Sequence, residues 1–256
     1  MALAERIRRQ SKHELAVANT LSWAERAADF GDYTEALAWL DALESIGAEL
    51  PEAYAVKRPV WADAHAARAE LNLSRKRLLR DEPRATQRML ALCEEFEMSA
   101  QMPDLLDCAL ERAMALLETD LGNIQLADPT SGALTIATSS GFDSEFLDYF
   151  AVVADDTSAC GAAARQRSQT VIVDVEENRA FAPHREIAAA SRFRAVQSTP
   201  IVDPTGRLHG VVSTHFRHRH RPSPAQMQLL AWFSERLGVA LARYDDPPTS
   251  AWETGG

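Results

Sequence analysis

The chain has 256 residues, 46% hydrophobic and 25% charged, a globular balance that excludes wholesale disorder and leaves room for two domains. A formal charge of −10 disfavours binding to a phosphate backbone, which depends on clustered Lys and Arg releasing counterions, so no nucleic-acid partner is expected. The cysteines Cys93, Cys108 and Cys160 are odd in number and far apart, which argues against a disulfide framework or a metal site; with no run near the roughly 18 apolar residues of a membrane span and a charged start, MALAERIRRQSKHE, a reducing cytoplasm fits best.

The first eighty residues are rich in Ala, Leu, Glu and Arg, and their glycines, Gly31 and Gly47, stand where a helix can stop. The periodicity predicts one helix carrying Ala18, Leu21, Trp23 and Ala27 and closing at Phe30-Gly31-Asp32. A second helix follows from Tyr33, with Ala36, Leu37, Leu40, Leu43 and Ile46 on one face. The segment AERAADFGDYTEALAWLDAL resembles a single tetratricopeptide unit, yet no second period follows, and such repeats need about three stacked neighbours, so an ordinary helical hairpin is the plainer reading. Trp23, Trp39 and Trp61 call for burial in a core or at an interface, which a helical partner or a second copy would supply. The basic run Arg75, Lys76, Arg77 and Arg80 reads as a solvated helix face. Asp81-Glu82-Pro83 interrupts it, because Pro83 lacks a donor and biases Glu82 away from helix, and residues 1–82 are taken as a helical interaction module.

A helix with Ala85, Met89, Leu92 and Phe96 on one stripe comes next, then one from Asp104 to Glu118 opened by Pro103. GNIQLAD and ALTIATSSG, joined by the turn at Pro129-Thr130-Ser131-Gly132, predict a β-hairpin. Phe142 to Val153 is expected helical, Thr170 to Val175 a short strand, and Glu186 to Ser191 a short helix. Ala195 to Val202 and Arg207 to Phe216 form a second hairpin across Asp203-Pro204-Thr205-Gly206. Ser223-Pro224-Ala225-Gln226 has the shape of a capping box and opens a last helix to Tyr244. The order gives an α+β domain over 85–244, an antiparallel sheet with helices on its faces, and 245–256 as a disordered tail.

The stretches ETDLGNIQLADPTSGALTIATSSGF, DDTSACGAAARQRSQTVIVDV and FRAVQSTPIVDPTGRLHGVVSTHF together resemble the GAF family. That resemblance implies a five- or six-stranded antiparallel sheet flanked by helices, with a small-molecule pocket between the sheet and the irregular middle segment. It implies a cytoplasmic signalling regulator, not an enzyme, that binds a ligand or dimerises and acts on a partner protein in trans. No cofactor is singled out. By the same analogy Ser158, Cys160, Gly161, Gln197, Ser198, Thr199 and Thr214 are candidate pocket residues. Strand alternation sends Gln197 and Thr199 to one face and Ser198 to the other, so only one set can meet a ligand.

SACGAAA resembles a cysteine-bearing segment of the free methionine-R-sulfoxide reductases, which are GAF proteins, and this is the alternative, enzymatic reading. Its second cysteine should precede the fourth strand, where HREIAAASRFRAVQ has none, so the reaction lacks its nucleophile. His209 and His215 share one face of a strand and could meet a haem or metal, without a third ligand in view, and Arg217 to Arg221 reads as a solvated loop. A further alternative is a dimerisation scaffold with an empty pocket. In the last helix Met227, Leu230, Phe233, Leu237, Leu241 and Tyr244 form one stripe and Leu229, Trp232 and Val239 a second, the candidate dimer interface, unless Met89, Leu92 and Phe96 cover that face instead.

Overall fold

The computed structural model describes residues 2–29 and 32–245; Phe30 and Gly31 of the expected first turn, and the expected tail from 246 on, lie outside the described residues. The chain divides into two compact units, Met1–Ser74 and Arg75–Gly256. The first unit is helical: α1 (Ala2–Asp29), α2 (Tyr33–Ser45) and α3 (Glu52–Asp81), with the division falling inside α3, upstream of the break at Glu82-Pro83. Pro83 ends the helix as expected, but which core a turn joins is set by packing, and Leu78 already belongs to the core of the second unit.

Asp32 caps α2 by accepting from the Glu35 amide at 3.0 Å. Leu21, Ala24, Ala36, Leu40, Leu43 and Trp61 form the core of the first unit. Trp23 and Trp39 meet each other with ring centroids 5.0 Å apart. Ile46, expected on the buried face, is exposed, because α2 stops at Ser45 and the chain leaves through Gly47 at φ +74, a left-handed position that glycine adopts without steric cost.

The second unit runs α4 (Pro83–Glu97), α5 (Met102–Leu117), β1 (Leu121–Ala127), β2 (Leu134–Ser140), α6 (Ser144–Tyr149), β3 (Val152–Val153), α7 (Ala159–Gln166), β4 (Thr170–Ile172), a 3-10 turn (Ala182–His184), α8 (Arg185–Ala190), β5 (Ala195–Val202), β6 (Leu208–Phe216) and α9 (Pro224–Asp245). The six strands form one antiparallel sheet in the order β3-β2-β1-β6-β5-β4. Both expected hairpins are present. The helix expected through Val153 ends at Tyr149, and Val152 and Val153 pair instead with Thr135 and Leu134 as an edge strand, the placement two β-branched residues favour.

One face of the sheet is covered by α4, α5 and α9 around Phe96, Leu110, Ile124, Ile201, Val212 and Phe233, with the Phe96 and Phe233 rings edge to face at 5.2 Å. The other is covered by the segment from α6 to α8 around Phe146, Ala163, Ile187, Phe193 and Val211. The box at the start of α9 closes reciprocally: the Ser223 amide donates to Gln226 Oε1 at 2.8 Å and the Gln226 amide to Ser223 Oγ at 3.2 Å. Ser223→Ala is expected to cost about 1 kcal/mol, read as a lower urea midpoint with an unchanged slope.

The second stripe of α9 does not stay open. Leu229, expected at the surface, is 5% exposed and belongs to the core, because α9 packs against α4 and α5 as well as β5 and buries a wide arc. Trp232 is half-buried beneath the Arg75 guanidinium, 5.2 Å from its ring centroid, and Arg75 pairs with Glu235. Val239 remains exposed.

Candidate functional site

The two central strands, β1 and β6, put polar side chains where a sheet core would usually place apolar ones. Asn123 and Gln125, two residues apart on β1, face the same side, and Ser213 stands opposite Asn123 on β6. Ser198 on β5 stands opposite Ser213, their hydroxyls 2.8 Å apart. His215 completes this floor. All five are buried, and they line a cavity roofed by Phe146, Phe150 and Phe181 and walled by Ser158, Ala159 and Cys160 at the start of α7. The cavity is small, about 20 Å³. That suits one or two waters, so a larger guest must displace the roof.

Three floor atoms have no hydrogen-bond partner: Asn123 Oδ1, Gln125 Oε1 and His215 Nδ1. Gln125 Nε2 donates one of its two N–H groups to the Phe150 carbonyl at 3.5 Å, and the amide oxygen has no partner. The His215 ring lies edge to face with Phe142, Phe146 and Phe193 at centroid distances of 4.9, 5.7 and 4.6 Å. Burial among those rings pushes its pKa down to about 3, so the imidazole is neutral at physiological pH.

Ser158 caps α7: its Oγ accepts from the Gly161 amide at 3.2 Å and lies 3.2 Å from Cys160 Sγ. Burial pushes the Cys160 thiol above its ordinary range, which opposes the thiolate that nucleophilic chemistry needs. A Cβ at Gly161 would lie 1.9 Å from the Asp155 carbonyl oxygen. The glycine is therefore there for close backbone approach, and the resemblance-based expectation of a ligand contact gives way to a supporting role.

Of the remaining candidates, Ser158, Cys160 and Ser198 line the cavity, whereas Gln197, Thr199 and Thr214 do not. Alternation turns these three to the helical face. Gln197 Nε2 reaches Met227 Sδ on α9 at 3.4 Å, and Thr199 and Thr214 bond to Gln169 and to the Gln197 carbonyl. His209 and His215 do not share a ligand either. His209 Nε2 lies 2.9 Å from Asp203 Oδ2 in the β5–β6 turn, whose other carboxylate oxygen accepts from Thr205 and Arg207. The basic run after β6 is an exposed loop, as expected, with Arg217 on Asp120 and Arg219 on Glu177 at its surface.

His184, for which the sequence offered no partner, ties the roof together. Its Nδ1 lies 3.0 Å from the Tyr149 hydroxyl of α6 and its Nε2 2.9 Å from Thr157 Oγ1, which donates to Asp155 Oδ1 at 2.6 Å. Burial lowers the His184 pKa, so this chain runs through a neutral imidazole. Asn123, Gln125, Phe146, Phe150 and Ser213 were not singled out from the sequence. The signal for the floor was a polar residue at alternate positions on two central strands, Asn123/Gln125 and Ser213/His215.

Among the described residues no group of three His, Cys, Asp or Glu is placed to hold a metal ion, and no helix is long and apolar enough to cross a membrane.

The family model of the GAF domain matches residues 99–242, more than half of the chain. Among solved structures, the GAF domain from a Coxiella burnetii phosphoenolpyruvate-protein phosphotransferase is similar at TM-score 0.54 and 14% identity, covering 62% of this chain and 96% of its own. The GAF domain from the Acinetobacter phosphoenolpyruvate-protein phosphotransferase gives TM-score 0.53 at 14% identity, covering 63% and 94%. The free methionine-R-sulfoxide reductase of Neisseria meningitidis gives 0.51 at 16%, covering 60% and 86%. At these identities the likeness is one of fold. No curated protein sequence matches the chain.

Proposed function

The chain belongs to the GAF domain family, and from that premise we propose that residues 85–244 sense a small molecule in the cavity between the sheet and the α6–α8 layer. Occupancy then shifts the flanking helices and acts on a partner protein in trans. One observation carries the reading: three buried polar atoms without partners belong to residues that line one cavity. Each such atom costs about 1–3 kcal/mol in an empty protein, a cost that a bound guest removes. A thermal-shift screen of cytoplasmic metabolites against the full chain tests it, since a ligand at 100 times its dissociation constant adds about 2.7 kcal/mol. A midpoint that no metabolite class moves would end the sensory reading.

The same proposal makes the chain a binding protein. Cys160 has a raised pKa, and Ala188, Ala189 and Ala190 stand where the reductase resemblance requires a second cysteine. Incubation with free methionine sulfoxide and a reductant is expected to give no turnover; turnover that Cys160→Ser abolishes would establish an enzyme. Self-association belongs to the proposal too, with less surface behind it than the sequence suggested, because Leu229 is buried and the candidate stripe keeps Val239 and the outer part of Trp232 at the surface. Sedimentation of the full chain at micromolar concentration decides it, and a monomer removes the dimer.

A further inference from the structure

We infer that the cavity selects a small uncharged ring carrying both N–H and C=O groups, a cyclic amide or ureide. The inference rests on the reading above that the cavity is a binding site, and it follows from what the floor offers and what it lacks. None of the residues lining the cavity is Asp, Glu, Lys or Arg. A carboxylate, phosphate or ammonium ligand would enter as an unpaired buried charge, which costs several kcal/mol and is avoided in proteins. The two lining groups able to ionise, His215 and Cys160, are both held neutral by burial.

A hydrocarbon fails for the opposite reason. It would seal Asn123 Oδ1 and Gln125 Oε1 away from water and leave both acceptors empty. Gln125 meets the Phe150 carbonyl through one N–H of its amide, and its oxygen is the atom left without a partner. Asn123 sits two positions along the same strand, on the same face, about 7 Å away at the Cα level, so donors on two edges of one small ring can answer both amides. Ser198 and Ser213 supply the converse group. Two hydroxyls hold two protons, one bridges the 2.8 Å pair, and the other is left to donate to a ligand carbonyl. N–H groups facing the amides and a C=O facing the serines define the class, and Phe146, Phe150 and Phe181, displaced to admit a flat ring, provide apolar faces for it.

The test uses the full chain and four probes: uracil and hydantoin as cyclic ureides, 1,3-dimethyluracil with the same carbonyls and no N–H, and orotate with the same ring and a carboxylate. At least one of the two ureides is expected to raise the unfolding midpoint in a dose-dependent way, by about 3 °C at tenfold its dissociation constant, and the other two probes to leave it unchanged. Gln125→Leu is expected to abolish the shift. Should that variant fail to fold, the double variant Ser198→Ala/Ser213→Ala, which removes both hydroxyls, is expected to weaken the response to the same ureide at least tenfold. An equal shift with dimethyluracil overturns the donor requirement, and a shift with orotate alone overturns the uncharged class while leaving a small-molecule pocket in place. Silence from both ureides overturns the inference: if the metabolite screen succeeds, the pocket binds another chemistry, and if it also fails, the floor is satisfied by water and both readings fall.

Discussion

Acidification from pH 8 to pH 4.5 is expected to remove about 3 kcal/mol of stability through His215 alone. In the folded protein the imidazole, buried against Phe142, Phe146 and Phe193, takes up a proton only near its lowered pKa of about 3. In the unfolded chain it does so near the ordinary histidine value of about 6.5. Between those limits the unfolded state holds more protons, so stability is fully present above about pH 6.5 and falls by about 1.4 kcal/mol for each pH unit below it. His215→Phe removes the titrating group and lets a fourth ring join the cluster. The variant should therefore lose about 3 kcal/mol less than the parent over the same interval. At pH 8 it should be no less stable, because an unpartnered buried nitrogen goes with the imidazole. His184 also has a lowered pKa and pushes in the same direction, but it is present in both proteins and cancels in the comparison. Urea unfolding of the two proteins at both pH values measures the difference, and equal losses would place the acid sensitivity elsewhere.

The same residue shows where sequence reasoning stopped. The β6 strand and its hairpin with β5 were legible from alternation and from the turn at Asp203-Pro204-Thr205-Gly206. The phase of that alternation was not legible, because Gln197, Ser198 and Thr199 are all buried. Hydrophobicity fixes which side of a strand faces inward only when the other side faces water. Here α9 covers one side and the α6–α8 layer the other, so a polar residue on either side is equally enclosed. Asn123 and Gln125 were missed for a related reason. Alternating with Ile124 and Leu126, they read as the wet side of an amphipathic strand, and only the roof of Phe146, Phe150 and Phe181, supplied by distant segments, turns that side into a cavity floor. Helix starts fared better because their chemistry is local: Ser223 with Gln226 closes within four residues. The width of the buried arc on α9 depends on α4 and α5 and is not local, and Leu229 was misplaced accordingly.

Gly161→Ala is expected to destabilise the protein by about 1–3 kcal/mol and to blunt its response to ligand. Within a helix the change alone would stabilise by about 0.5–1 kcal/mol, since alanine loses less backbone freedom than glycine on folding. Packing decides against it. The new Cβ would stand 1.9 Å from the Asp155 carbonyl oxygen and 3.2 Å from Ser158 Oγ. The carbonyl is backbone and cannot rotate away, so the segment before α7 must move as a whole. That segment carries Thr157, whose hydroxyl joins His184 to Asp155, and Ser158, which caps α7 beside Cys160. Displacing it shifts one wall of the cavity and loosens the tie between the roof segments. Gly206→Ala is the control. Gly206 sits at φ +88 in the β5–β6 turn with nothing within 4 Å of its would-be Cβ, and it is not among the cavity residues. Its strain should cost about 1–2 kcal/mol without altering the ureide response. Thermal unfolding of both variants, with and without the ureide that shifts the parent, separates the two effects. A Gly161→Ala protein that unfolds at the parent's midpoint and responds in full would mean that the segment yields without cost, and that close approach to Asp155 is not what requires glycine there.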